Sequence, residues 1–201
     1  SSYMFTGYMC DARFAAATAI YTSGFTPNTS PLTAVSGTTL LTKFQNAAIF
    51  DNSMKNDLET VGNAQVSTSV KKFGTGSMAF DGSGDYLTLS PGSAFAFGTG
   101  DFTVECWVNF TSNNGTYNPF VRYDGSSFDF GYDYSSSLLK YNGSGAILSV
   151  SQTFTPGTWY HVAMVRNTST GRAQVYVNGI LDANSNIVTS GNMANAYAND
   201  F

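Results

Sequence analysis

Residues 73–110, FGTGSMAFDGSGDYLTLSPGSAFAFGTGDFTVECWVNF, decide the fold. The end of this stretch alternates strictly. Phe102, Val104, Cys106, Val108 and Phe110 fall on one face, and Thr103, Glu105, Trp107 and Asn109 on the other. Such alternation marks a strand with one apolar side, because successive Cβ atoms point to opposite faces. Upstream, two shorter strand patterns are punctuated by FDGSGDY, whose glycines and aspartates suit tight connections. Long aromatic strands separated by Gly/Ser/Asp turns bury their apolar faces by packing one sheet on another, so the stretch predicts a sandwich.

The same grammar extends in both directions. Strands are predicted at 76–81, 85–90, 101–110, 117–123, 126–134, 137–142, 145–151, 158–167 and 172–178. Between them stand Asp124-Gly125, Asn142-Gly143, Pro156-Gly157, Thr170-Gly171 and Asn178-Gly179. Asn-Gly and Asp-Gly favour the tight turns of antiparallel hairpins. Near the start, YMFTGYMCDARF (3–14) reads as a strand with Tyr8, Cys10, Ala12 and Phe14 opposite Met9, Asp11 and Arg13. AAATAI (15–20) suggests one helical turn. YTSGFTPNTSPLTAVSG, with Pro27 and Pro31, reads as an extended linker lying along a surface. TTLLTKFQNAAIF (38–50) is a further strand pattern, followed by the polar turn DNSMKNDLE. No long helical periodicity interrupts the series, and the expectation is an all-β, antiparallel, jelly-roll-like domain.

Composition narrows the function. A chain of 201 residues suits a single β-domain, and 42% apolar residues can fill its core. With 11% charged residues, 16 Phe and 12 Tyr, the chain does not have the composition of a disordered segment. A net charge of −4 without a Lys/Arg stripe disfavours nucleic acid and anionic membrane surfaces as partners. No apolar run approaches the ~20 residues needed to insert across a bilayer as a helix. The chain does not open on Met and shows no secretion signal, which suits a processed or excerpted piece of something longer. Cys10 and Cys106 read as buried free thiols, or as a disulfide if their strands adjoin, and leave the redox compartment open.

The residues argue against catalysis. Retaining glycosidases need two carboxylates about 5–5.5 Å apart, and the only glutamates here, Glu59 and Glu105, lie in unrelated segments. His161 is the sole histidine, reads as a structural one, and no nucleophile-elbow motif accompanies it. GTGSMAFDGSG lacks the lysine of a phosphate loop. Calcium is a more credible ligand, since hard oxygens gather in two turns. DNSMKND offers Asp51, Asn52, Asn56 and Asp57, and FDGSGD offers Asp81 and Asp85. The same Asx residues also cap turns through their own backbone bonds. For a glycan, SFDFGYDYSSSLLKY (127–141) sets Phe128, Phe130, Tyr132 and Tyr134 against Asp129, Gly131 and Asp133. Aromatics beside carboxylates suit sugar stacking and hydroxyl recognition, although four alternating aromatics equally make the core face of a strand. Tyr132 and Asp133, with Tyr123, Asp124 and Trp107 and more weakly Tyr117, are the ligand-binding candidates.

LLTKFQNAAIFDNSMKND (40–57), KFGTGSMAFDGSGDYLTL (72–89), DFTVECWV (101–108), GTWYHVAMVRN (157–167) and VYVNGIL (175–181) follow one another as in a known family. The chain resembles laminin-G-like jelly-roll modules of the concanavalin A-like lectin/glucanase superfamily, as in phage virion proteins and large extracellular repeat proteins of marine microbes. The resemblance implies a two-sheet antiparallel jelly-roll sandwich at a virion or extracellular surface, serving adhesion or glycan recognition. It also implies a structural calcium near the turns, with an aspartate on the closing strand, here Asp11. The metal candidates are then Asp51, Asp57, Asp81 and Asp11. The glucanase relatives' two glutamates bracketing an aspartate on one strand are missing, so no enzyme activity is implied.

One departure from the family's order is informative. A segment like GYMCDARF followed by YTSGFTPNTSPLTA ordinarily closes a module, whereas here it stands at 7–14 and 21–34. The expected organisation is a closing strand with its Pro-containing linker at 1–36, then a sandwich at 37–201 lacking its last strands. Such a gap leaves an unpaired edge. Residues 3–14 fill it by folding back, since a ~20-residue linker reaches over ~60 Å at ~3.3 Å per residue. Alternatively the strand enters the next copy, as in donor-strand complementation, or flanking sequence closes the gap. The functional expectation is a non-catalytic surface module recognising a cell-surface glycan. The alternative is a structural self-assembling subunit whose partners are copies of itself or other proteins of the assembly.

Overall fold

Apolar and aromatic residues at every second position pair into strands throughout the chain. The computed structural model describes residues 5–45, 48–51, 53, 58–89, 95, 97–112, 117–122, 128–143, 146–182 and 187–188. The strands are β1 (Thr6–Ala16), β2 (Thr38–Gln45), β3 (Ala48–Asp51), β4 (Leu58–Val61), β5 (Gln65–Ser67), β6 (Ser77–Asp81), β7 (Tyr86–Leu89) and β8 (Phe102–Phe110). They continue as β9 (Tyr117–Arg122), β10 (Phe128–Asp133), β11 (Leu138–Gly143), β12 (Ala146–Ser151), β13 (Trp159–Asn167), β14 (Arg172–Val177), β15 (Ile180–Leu181) and β16 (Ile187–Val188).

The larger sheet runs β15-β14-β13-β8-β1-β2-β3, with β6 also on β1, β5 on β6, and β16 on β14. A smaller sheet runs β12-β11-β10-β9, and β4 pairs with β7. Pairing is antiparallel throughout. Side chains of the two sheets meet in one core. Phe102 and Phe110 of β8 lie against Phe128 and Tyr132 of β10, with ring centroids 5.8 Å and 5.6 Å apart. Burying rings of this size supplies most of the favourable free energy, at about 25 cal/mol per Å² of apolar surface.

Strand β1 occupies the middle of the larger sheet. It pairs with β8 along one side, and with β6 and then β2 along the other. Residues 5–16 thus fold back onto their own chain. At Asp11 the ladder to β8 slips: Cys10 faces Trp107 and Ala12 faces Cys106. Asp11 is the extra residue of a β-bulge, with φ 46°, a left-handed value that aspartate tolerates better than most residues. The bulge overturns the unbroken alternation expected of 3–14. Met9, Ala12 and Phe14 join the core with Val108, Cys106 and Val104, while Cys10 and Arg13 lie on the outer face with Trp107 and Glu105. Cys10 and Cys106 are consequently on opposite faces and both are free thiols. Burial pushes the Cys10 thiol up to about 11 and the Cys106 thiol higher still.

Two local expectations are also corrected. AAATAI makes no helical turn, because its backbone groups are used elsewhere. Ala15 and Ala16 pair with Thr103 and Phe102, Ala16 N–H donates to Gly37 O at 2.9 Å, and Ile20 N–H donates to Thr103 Oγ1 at 3.0 Å. The single strand expected at 38–50 is a hairpin of β2 and β3, with Lys43 opposite Phe50.

Candidate functional site

The outer face of β1, β8 and β13 is covered by residues 17–37, a strap that leaves β1 and returns to β2. Phe25 N–H donates to Gly179 O at 2.7 Å. A side chain at Gly179 is impossible there, since a Cβ would meet Phe25 O at 1.5 Å and φ is +78°. Leu32 N–H donates to Asp11 Oδ2 at 2.7 Å, so the bulge residue anchors the strap's far end. Tyr21 and Phe25 stack with ring centroids 3.5 Å apart and pack on His161 and Tyr176.

Beneath the strap lies a buried polar cluster centred on Glu105, whose side chain is fully enclosed. Arg13 Nε donates to Glu105 Oε1 at 2.7 Å, and Arg13 Nη2 forms an ion pair with the same oxygen. Tyr21 O–H donates to Glu105 Oε2 at 2.7 Å, and His161 Nε2–H donates to Oε2 at 2.9 Å. Arg13 Nη1 also donates to the strap carbonyl of Thr33 at 2.8 Å. Burial works to raise the Glu105 carboxyl, but the hydrogen bond and charge of His161, the Arg13 charge and the Tyr21 hydroxyl hold it below its ordinary value. Burial, then the charge of Glu105, pushes the Tyr21 phenol up and keeps it a donor. His161 is thus bonded within the domain as expected, on the outer face beneath the strap and not between the sheets.

Next to this cluster opens a recess of about 460 Å³. Its walls are Trp107 of β8, Trp159 of β13, Asn178 of the β14–β15 turn, Lys72 and Phe73 of the β5–β6 connection, and Pro27, Asn28 and Thr29 of the strap. Trp107 is 6% exposed, and its indole N–H has no hydrogen-bond partner among the described residues. Lys72 Nζ sits 4.2 Å from the Trp107 ring centroid and 5.6 Å from that of Phe73. Trp107 meets Phe73 and His161 edge-on, at 5.5 Å and 5.4 Å between centroids. Asn178 Oδ1 accepts from His161 N–H at 3.0 Å, which orients its amide group at the rim.

Of the described residues expected to bind a ligand, Trp107 lines this recess and the others do not. Tyr132 is corrected to a core residue: it is 1% exposed, its hydroxyl donates to Gln152 O at 2.8 Å, and its ring packs on Phe110 and Phe154. The aromatic alternation of 128–134 is the inner face of β10. Asp133 caps the following turn, accepting from Ser135 and Ser136 N–H, and pairs with Lys140. Although its partial burial opposes this, those partners hold its carboxyl well below the usual range. Tyr117 donates its hydroxyl to Asp129 at 2.6 Å. Tyr123 and Asp124 lie outside the described residues. Trp159, Phe73 and Lys72 were missed. They come from distant segments; Trp159 is an aromatic on the polar side of a strand, as Trp107 is, and Lys72 and Phe73 lie in a connection with no such signal.

The aspartates expected to hold calcium are engaged by backbone donors. Asp51 Oδ1 accepts from Leu41 and Ser53 N–H at 2.9 Å and 2.8 Å, and Asp81 Oδ1 accepts from Ser83 N–H at 2.7 Å. Asp85 accepts from Asn63 and Asp81 N–H at 2.8 Å and 2.9 Å, while Asp11 holds Leu32. Asn52, Asn56 and Asp57 lie outside the described residues. Among the described residues, no group of three or more His, Cys, Asp or Glu is placed to hold a metal ion.

Two antiparallel sheets with a shared aromatic core define the class of protein, a jelly-roll-type β-sandwich. The family model Laminin_G_3, described as concanavalin A-like lectin/glucanases superfamily, matches residues 81–200, more than half of the 201-residue chain. The chain belongs to this laminin-G-like family. No curated protein and no solved structure matches it.

Proposed function

We propose that the protein is a non-catalytic recognition module that binds glycan in the recess between the strap and strands β8 and β13, as part of an extracellular or virion surface assembly. The observation that carries this reading is the recess itself, walled by two tryptophans and a phenylalanine with Lys72 and Asn178 beside them. Apolar walls with a few convergent polar groups are what a small polar ligand requires, and aromatic faces stack on the C–H faces of sugars. Membership of a family that includes lectins, and whose laminin-G-like modules are typically extracellular or surface-borne, supports it. The test is a glycan array probed with the wild type and Trp159→Ala. Binding by the wild type, abolished in the variant at an unchanged melting temperature, supports the reading. A wild type that binds nothing removes it.

The reading includes a structural calcium at the turn beginning at Asp51. A melting temperature raised by millimolar calcium and restored by chelator supports that site, and an indifferent one removes it. A second reading, a self-assembling structural subunit, is favoured by the central position of β1, which is joined to the next strand only through the strap. Exchange of β1 between copies would show as concentration-dependent mass in light scattering; a mass that stays monomeric at high concentration argues against it.

A further inference from the structure

We propose that the recess selects a saccharide bearing a carboxylate, and that Lys72 is the group that pairs with it. This rests on the glycan reading above and names the ligand class. In a chain with 13 acidic and 9 basic residues, the recess is lined, among the described residues, by one charged side chain, Lys72, and by no acid. Lys72 takes part in none of the ion pairs among the described residues. It is held over the Trp107 ring, so the ring's π-face positions the ammonium without neutralising it.

The remaining polar groups of the lining are neutral. Asn178 gives one lone pair of its carbonyl oxygen to His161 and keeps its amide hydrogens for the rim, and Asn28 and Thr29 add groups that both donate and accept. The ammonium of Lys72 is therefore the one formal charge that a ligand meets among the described lining residues. A neutral sugar can replace water on the ammonium only with hydroxyl acceptors, whereas a carboxylate replaces it with an ion-paired, shorter and stronger hydrogen bond. Trp159 and Phe73, both partly exposed, supply ring faces for the pyranose. Those faces favour a sugar acid over an acidic peptide.

Both tryptophans of the chain line the recess, so intrinsic fluorescence reports its occupancy directly. The experiment uses the whole chain against oligosaccharides ending in uronic or sialic acid, their methyl esters, matched neutral oligosaccharides and a tetraglutamate peptide. The expected result is a fluorescence change with the acids that is about tenfold or more weaker with the esters and in Lys72→Gln. Lys72→Arg is expected to retain affinity to within about threefold, because the charge is kept. Melting temperatures of both variants check the fold. Esters or neutral sugars binding as tightly as the acids, or Lys72→Gln binding unchanged, overturn the carboxylate proposal while the glycan reading stands. Tetraglutamate binding as tightly as the sugar acids overturns the saccharide assignment. A response to no saccharide at all overturns both.

Discussion

Strand β8 buries both of its sides, and the two sides do it with different chemistry. Inward, Phe102, Val104, Cys106, Val108 and Phe110 meet the smaller sheet in an aromatic core, with the buried Arg166 opposite Phe102 at one end. Outward, Thr103, Glu105, Trp107 and Asn109 are just as inaccessible, yet they meet Arg13, His161 and the strap through directed bonds. The inner side holds because water is excluded from apolar surface, and it tolerates exchange of one hydrophobic shape for another. The outer side holds because Glu105 gathers Arg13, Tyr21 and His161 around its two oxygens. It specifies where residues 17–35 lie, at the cost of taking a carboxylate and a guanidinium out of water.

The sharpest way to separate the two sides is to damage each and attempt a repair. Phe110→Ala on the inner side is expected to cost about 3–5 kcal/mol in urea denaturation. Arg13→Ala on the outer side is expected to cost a similar ~3–5 kcal/mol by leaving Glu105 buried and unpaired. Repair distinguishes them. Adding Glu105→Leu to Arg13→Met should recover most of the outer loss, because no orphan charge remains. Failure to recover would mean that Glu105 holds the strap chiefly through Tyr21 and His161.

Acid should discriminate next. The folded-state pKa of Glu105 lies below its ordinary value of 4.5. Its contribution is therefore fully present above pH 4.5 and is lost as pH falls below that value through the folded pKa. Asp11 and Asp129, raised chiefly by burial from 3.8, act in the opposite sense and lose stability as pH rises through that region. Urea midpoints of the wild type and Glu105→Gln, measured from pH 7 to 3, isolate the Glu105 share. The gap between them should narrow below pH 4.5, and a constant gap would refute the sign. The smallest expected effect belongs to Tyr134, whose half-buried ring packs at the inner core's edge and whose buried hydroxyl has no partner among the described residues. Tyr134→Phe should leave stability within about 0.5 kcal/mol of wild type or raise it, since no hydrogen bond is lost.

The inner side was legible from sequence because alternation is local: DFTVECWVNF announces both its faces within ten letters. The all-β antiparallel class likewise followed from strands and turns in sequence, including the Asn178-Gly179 turn, where both residues have positive φ, and the family from the resemblance of successive motifs. The outer side was not legible. Asp11 looks like any alternating residue, yet its bulge exchanges the faces of everything before it. Glu105 and His161 are separated by 56 positions and meet only through strand pairing. Tyr132 misled because an aromatic ladder reads the same whether it faces a sugar or the core. The recess draws on residues 27–29, 72–73, 107, 159 and 178, a set no sequence window contains.

The strap supplies one wall of that recess and the strands supply the others, so a molecule seated there touches both and acts as a staple between them. Occupancy then adds RT ln(1 + [L]/Kd) to the free energy of keeping the N-terminal segment docked, about 2.7 kcal/mol at a hundredfold excess over Kd. Amide hydrogens of Phe25 and Leu32, each bonded across the junction, would exchange more slowly in proportion. Recognition of a ligand and retention of the protein's own leading strand become a single equilibrium.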